Sequence, residues 1–277
     1  MTIKTTKSLS IALQKRFQEL LLLTQELPPV GCRPLTVCGR VCGWAHDAAA
    51  NVLSRLPGVA VDGEAVHIAS NQSPSAKVNA RLAEIAVALD AAGCVKSWRN
   101  ELLDVVGEGQ HLGAIERGGV RPLGLLTQAV HLNAWTPDGH LWVQKRASHK
   151  STDPDKWDTL VGGLSSANED LHVSLIRECE EEAGLFIDQL HALEPMRLIL
   201  RMHRRLPEGY QVENVWVNDC VLDETTTPKN LDGEVSEIRS ISIDEYWEMA
   251  QLGMFTLEAE IVILDSIRRR IENSNGG

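Results

Sequence analysis

Hydrophobic and polar positions alternate along this chain in two different rhythms. Near the start, Leu9, Leu13, Phe17, Leu20 and Leu27 recur at helical spacing while Lys15, Arg16 and Glu19 fall off the stripe, which predicts an amphipathic helix stopped by Pro28-Pro29. Pro34 to Trp44 reads as a short hairpin turning near Gly39, Asp47 to Leu56 as a helix, and Gly58 to Ser70 as a second hairpin through Asp62-Gly63. An Ala- and Leu-rich helix is expected over Pro74 to Ala92, opened by Ser73 as a cap and proline at the first helical position. Trp98 to Val106 reads as one more short helix, and Gly107, Gly109, Gly113, Gly118 and Gly119 then punctuate the chain as far as Pro122.

Beyond Pro122 the rhythm changes to longer apolar strands. Gln128 to Trp135 and His140 to Arg146 flank the turn Thr136-Pro137-Asp138-Gly139, and Leu193 to Arg204 and Gln211 to Leu222 flank Pro207-Glu208-Gly209, so each pair predicts a hairpin. Glu237 to Ile243 reads as a further strand, with Asp244 to Gln251 and Leu257 to Ile271 as closing helices. At roughly 150 residues per domain the length accommodates two domains. The change of pattern places them at 1–120, a smaller α+β domain, and 121–277, an α/β domain.

Composition narrows the function. A hydrophobic share of 43% and a charged share of 23% describe an ordinary folded chain. Lys+Arg 27 against Asp+Glu 38 leaves a net charge of −11, so no overall basic field exists to hold a nucleic-acid backbone. The longest aliphatic run near the start, Leu20 to Leu23, is far shorter than the roughly 20 apolar residues that span a bilayer. The six cysteines are scattered behind no secretory segment, and Cys38 and Cys42 lack a second metal-ligand pair. Structural, reduced thiols and a cytoplasmic location are expected.

The chemistry concentrates between Gly163 and Leu185. Glu178, Glu181 and Glu182 are related by three and four residues and cluster on one helical face, while Val173, Ile176, Cys179 and Ala183 are expected to form the buried face. Crowded carboxylates repel one another unless a cation neutralises them. Hard oxygen donors without His or Cys point to Mg2+ or Mn2+. Arg177 is placed to orient a carboxylate by forked hydrogen bonds, Gly184 to end the helix in the left-handed conformation, and a Gly162-Gly163 turn to free backbone carbonyls for a metal.

The full spacing, Gly163 followed by Glu169, Arg177-Glu178, Glu181-Glu182, Gly184 and Leu185, resembles the Nudix box G-x5-E-x7-R-E-U-x-E-E-x-G-U, where U is a bulky apolar residue. Cys179 fills the first U position, and Asn168 stands where many boxes carry glycine. The resemblance implies an α/β/α sandwich around a mixed sheet. It also implies hydrolysis of a nucleoside diphosphate linked to another moiety, or of a related diphosphate. By matched positions Glu178, Glu181 and Glu182 would bind metal with the Gly163 carbonyl, and Glu169 and Arg177 would support them. The base would be a box glutamate or a later acid, Glu234 or Glu237, which gives the catalytic set Glu178, Glu181, Arg177 and Glu237.

A narrower resemblance comes from LWVQKRASHKSTDPDKWDTLVGG, Leu141 to Gly163, and from Asp232-Gly233-Glu234-Val235. These are similar to the thiamin pyrophosphokinase-related Nudix branch, whose members carry an extra N-terminal domain. Gly39 to Ala45, GRVCGWA, is similar to that domain. This likeness implies diphosphates of damaged thiamin analogues as substrates. Arg146 and Lys150 would anchor a diphosphate, Asp158 precedes the Gly-Gly pair, and Trp157 would either stack a heteroaromatic ring or pack in the core. Two alternatives stand beside this reading. An isopentenyl diphosphate isomerase shares the Arg-x3-Lys stretch but needs an acid/base cysteine, and a non-catalytic Nudix-fold sensor commonly loses box carboxylates. The expected partner is a small diphosphate, with neither nucleic acid nor membrane and with homodimerisation left open. The N-terminal region is expected to act as a lid or in specificity.

Overall fold

The structure, a computed structural model, describes residues 6–150, 152–231 and 233–275, so Asp232 of the DGEV stretch lies outside the described residues. The chain opens with α1 (Lys7–Leu22), whose buried face is Leu13, Phe17 and Leu20. The helix stops before Leu27, which is exposed, so the apolar stripe expected through that residue ends a turn earlier.

The next segment builds a small α+β unit. It comprises β1 (Arg33–Val37), β2 (Arg40–Ala45), α2 (Asp47–Leu53), β3 (Val59–Val61), β4 (Val66–Ile68) and α3 (Ala76–Ala91). Then come β5 (Leu102–Gly107), β6 (Gln110–Glu116) and the short α4 (Val120–Leu123). The first four strands form one sheet in the order β2-β1-β4-β3, with β1 and β4 parallel, and β5 pairs with β6 alone. Leu35, Val37, Leu53, Val66, Ile68, Leu82, Ile85 and Leu89 pack the core, which reaches Val120, Leu123 and Leu125.

Trp98 to Val106 is not helical. Leu103, Val105 and Gly107 are buried while their neighbours are less so, a two-residue alternation that belongs to a strand. Glu108 and Gly109, both at positive φ (51° and 79°), close a two-residue hairpin of the kind that matches strand twist.

The remaining elements are β7 (Leu126–Trp135), β8 (Leu141–Arg146), β9 (Trp157–Thr159), β10 (Val161–Leu164) and α5 (Leu171–Ala183), followed by β11 (Arg197–Leu206), β12 (Gly209–Val221), β13 (Val235–Ile241), α6 (Ile243–Gln251) and α7 (Leu257–Asn275). Seven strands form a sheet ordered β11-β12-β7-β8-β13, with β10 added to β7 and β9 to β8. The β7–β12 pair is parallel and the others antiparallel, so the sheet is mixed. One face packs α5 through Val130, Leu132, Leu175, Cys179 and Ala183. The other packs α6, α7 and α1 through Val215, Val217, Tyr246, Ile263, Leu264, Leu13 and Phe17. This is the α/β/α sandwich expected from the sequence. α1 precedes the small unit in sequence but lies against α7 in space, where Arg16 donates to the buried Glu260 from Nε at 2.6 Å and from Nη2 at 3.0 Å.

Candidate active site

The site forms where β10 meets α5. Gly162 and Gly163 are strand residues of β10, registered against His131 and Val130 of β7, rather than a turn. Their glycine identity is required by close approach. A Cβ on Gly163 would overlap the Glu178 carboxyl group, and one on Gly162 would press on the His131 ring. The loop after β10 reverses at Asn168, whose φ of 62° is the left-handed conformation that asparagine tolerates better than most residues. Asp170 then caps α5 by accepting from the His172 amide at 2.9 Å. Gly184, at φ 60°, ends the helix, and the Leu185 amide donates back to the Cys179 carbonyl at 3.0 Å.

Arg177 is the hub of the acidic face. Its Nε and Nη2 donate to the two oxygens of Glu169 at 3.0 Å each, a bidentate pair. Nη2 also donates to the Leu164 carbonyl at 3.2 Å, and Nη1 donates to Glu178 at 2.7 Å and Glu181 at 3.2 Å. Glu169 further accepts from the Ser174 hydroxyl at 2.7 Å and the Ser166 amide at 3.2 Å. The Arg177 hydrogen bonds, with Ser174 and Ser166, lower the Glu169 carboxyl to about 2.

Glu178 and Glu182 behave oppositely. Burial pushes both up, Glu182 to about 8, because the charged form loses hydration; the nearby charge of Glu178 adds to the rise at Glu182, and that of Glu181 to the rise at Glu178. Glu182 is only 6% exposed and accepts from the Gly162 amide at 2.9 Å and the Gln144 side-chain amide at 3.0 Å. Glu181 lies at the rim with its side chain 53% exposed.

The donor chemistry fits a divalent hard cation. The buried Glu182 and partly buried Glu178 carry an electrostatic burden that such an ion relieves, and the Gly163 backbone lies against Glu178 without a Cβ between. Among the described residues no three His, Cys, Asp or Glu side chains converge in the manner of a preformed centre. Arg177 supplies the positive charge on Glu178 and Glu181 instead.

A NUDIX domain signature matches residues 126–261. This segment is a Nudix domain. The chain is 29% identical over 195 residues to Nudix hydrolase 24, chloroplastic, of Arabidopsis thaliana, covering 68% of this chain and 53% of that protein. It is 28% identical over 205 residues to Nudix hydrolase 20, chloroplastic, from the same plant, covering 72% and 54%. The chain thus spans about half the length of the curated relatives it matches. A Deinococcus radiodurans crystal structure aligns with a TM-score of 0.44 at 23% identity, covering 61% of this chain and 98% of that one. No described helix is long and apolar enough to cross a membrane.

The other expected site residues divide. Arg146 is tied to Asp158 at 3.0 Å and to the Thr152 carbonyl, and Lys150 pairs with Glu234. Both cations thus serve the loop that follows β8. Trp157 packs in the core at 3% exposure among Tyr246, Met249 and Phe255, with the Arg239 guanidinium 4.7 Å over its ring, so a stacking role for it is set aside. Glu237 is exposed on β13 and pairs with Arg239 at 3.6 Å. Glu234 lies within electrostatic reach of Arg99 and Arg117, the second of which also acts on Glu178. On the box helix, Val173 is 54% exposed, and the buried face runs instead through Ser174, Leu175, Cys179, Glu182 and Ala183.

No sequence pattern marks how the N-terminal unit holds the box. The Ala167 amide donates to the Leu102 carbonyl at 2.7 Å and the Asn168 amide to Asp104 at 3.1 Å. The Ser166 hydroxyl donates to Glu101 at 2.9 Å, and Glu101 also accepts from Arg117 at 2.7 Å. β5 therefore splints the loop that opens α5. Gln144 was likewise missed, since a polar residue in a strand gives no sign that it will reach a carboxylate 38 positions away.

Proposed function

We propose that this chain is a divalent-cation-dependent hydrolase of small organic diphosphates, acting on phosphoanhydride bonds, with damaged thiamin diphosphates as its favoured substrate class. The observation that carries the reading is the buried Glu182 carboxylate beside the partly buried Glu178, the two held against Gly162 and Gly163 within a complete Nudix box. Glu178, Glu181, Glu182 and the Gly163 carbonyl would hold Mg2+ or Mn2+. When bound, such an ion neutralises diphosphate charge and lowers the pKa of water. Arg177 positions Glu178 and Glu181, and Glu169 fixes Arg177 in turn. Glu181, at the exposed rim, is the box acid best placed to take a proton from an attacking water. The thiamin preference rests on the Leu141 to Gly163 likeness.

The isomerase alternative is disfavoured because Cys179 is buried in the α5 interface, where desolvation holds its thiol protonated. The sensor alternative is disfavoured by the retained carboxylates. The deciding experiment incubates the protein and Glu182→Gln with Mg2+ and a panel of oxidised thiamin diphosphates, isopentenyl diphosphate, ADP-ribose and nucleoside triphosphates. The reading expects Mg2+-dependent monophosphate release from thiamin-type diphosphates, abolished in the variant. Turnover of none of the panel sinks it.

A further inference from the structure

Gln144 stands where the strand pattern calls for an apolar side chain. On the same face of β8, Trp142 packs into the cluster that covers α5, and so does Ile238, the residue paired with Gln144 on β13. Gln144 itself is only 3% exposed. Its Nε2 donates to Oε2 of Glu182 at 3.0 Å, while its Oε1 is buried without a hydrogen-bond partner among the described residues. The Gly162 amide also donates to that same Glu182 oxygen, so Oε2 is an acceptor and the Gln144 nitrogen must face it. The Gln144 oxygen is thereby turned away. An orphaned buried carbonyl is a cost to folding that a methionine of similar length would not carry. Packing therefore gives no reason for an amide at this position.

The reason lies at Glu182. Arg177 serves Glu169, Glu178 and Glu181 from within the box helix. Glu182, the most deeply buried of the box acids, is served from the sheet instead, by Gly162 of β10 and Gln144 of β8. Two donors from two strands converge on Oε2, which holds the carboxylate against rotation and leaves Oε1 as the oxygen for another partner. Outer partners of this kind orient metal ligands and set their affinity.

We propose that Gln144 is a positioning residue, holding the Glu182 carboxylate so that Oε1 is presented to a divalent cation while its own carbonyl stays unsatisfied. This role rests on the proposed cation site at the box, and Mn2+ binding without substrate tests each separately.

Free Mn2+ would be counted by electron paramagnetic resonance during titration of the full chain. Wild type should bind the ion saturably, and Gln144→Met should bind it about tenfold more weakly, as loss of a partner behind a metal ligand does. Val143→Ala, on the opposite face of the same strand, should bind as wild type does. In a Glu182→Gln background, Gln144→Met should weaken binding by less than about twofold further, because its effect runs through Glu182. The melting temperature of Gln144→Met in EDTA should stay within about 4 °C of wild type, since the lost hydrogen bond and the removed orphan nearly cancel. Unchanged Mn2+ affinity in Gln144→Met overturns the role and leaves the cation site standing. Absence of Mn2+ binding by wild type overturns both. A tenfold loss repeated in the Glu182→Gln background, or a larger fall in melting temperature, marks a merely structural residue and also overturns the role.

Discussion

At the level of single residues, Gly163 and Glu178 are the tightest constraint in the site. Gly163→Ala should displace the Glu178 carboxylate, lowering kcat by at least about tenfold and stability by roughly 1–3 kcal/mol, as overpacking does. Steady-state kinetics beside thermal melting would check both. His131 offers a pH signature. Its ring is buried, with Nδ1 3.1 Å from the Thr159 hydroxyl, and desolvation depresses it below the ordinary 6.5. Below that value the unfolded chain takes up a proton that the folded ring refuses, so stability falls as pH drops through 6.5. His131→Leu should flatten the fall in Tm between about pH 7 and pH 5. An unchanged slope would locate the acid sensitivity elsewhere. The residue types of the box were legible because their spacing is rigid. Trp157 was not, since an indole near a site in sequence carries no mark of which way its strand faces.

Among the elements, β5 and α1 tie the two halves of the chain together. The Asn168 amide donates to Asp104, which also pairs with His111 of β6, so Asp104→Ala should loosen the box loop without touching a box residue. Hydrogen exchange over 165–170 should accelerate in that variant, and protection equal to wild type would show that the splint is not needed. Leu13 of α1 is fully buried against the sandwich, so Leu13→Ala should cost about 2–5 kcal/mol, read by denaturant unfolding. Most strands and helices could be read from periodicity and turn residues. β5 could not, because Leu102-Leu103-Asp104-Val105-Val106 suits either period when read alone. β9 and β10 were missed because each is very short, at three and four residues.

For the whole molecule, the order of the chain is not the order of the structure. α1 begins the sequence yet completes the sandwich, and the N-terminal unit splints the box loop. We propose that 1–120 and 121–277 remain useful as specificity and catalytic regions, although α1 packs with the second. A chain beginning near Arg121 should therefore be poorly folded, since it lacks Leu13, Phe17 and Leu20. The acidic composition has a local counterpart in the box. The central claim is that buried box carboxylates make this a metal-dependent diphosphate hydrolase. Its most direct test is phosphate-release kinetics of wild type and Glu182→Gln on an oxidised thiamin diphosphate, with Mg2+ and with EDTA. The account predicts turnover only in wild type with Mg2+, and a loss on the order of 100-fold or more in the variant. Equal rates in the two proteins, or turnover in EDTA, would contradict it.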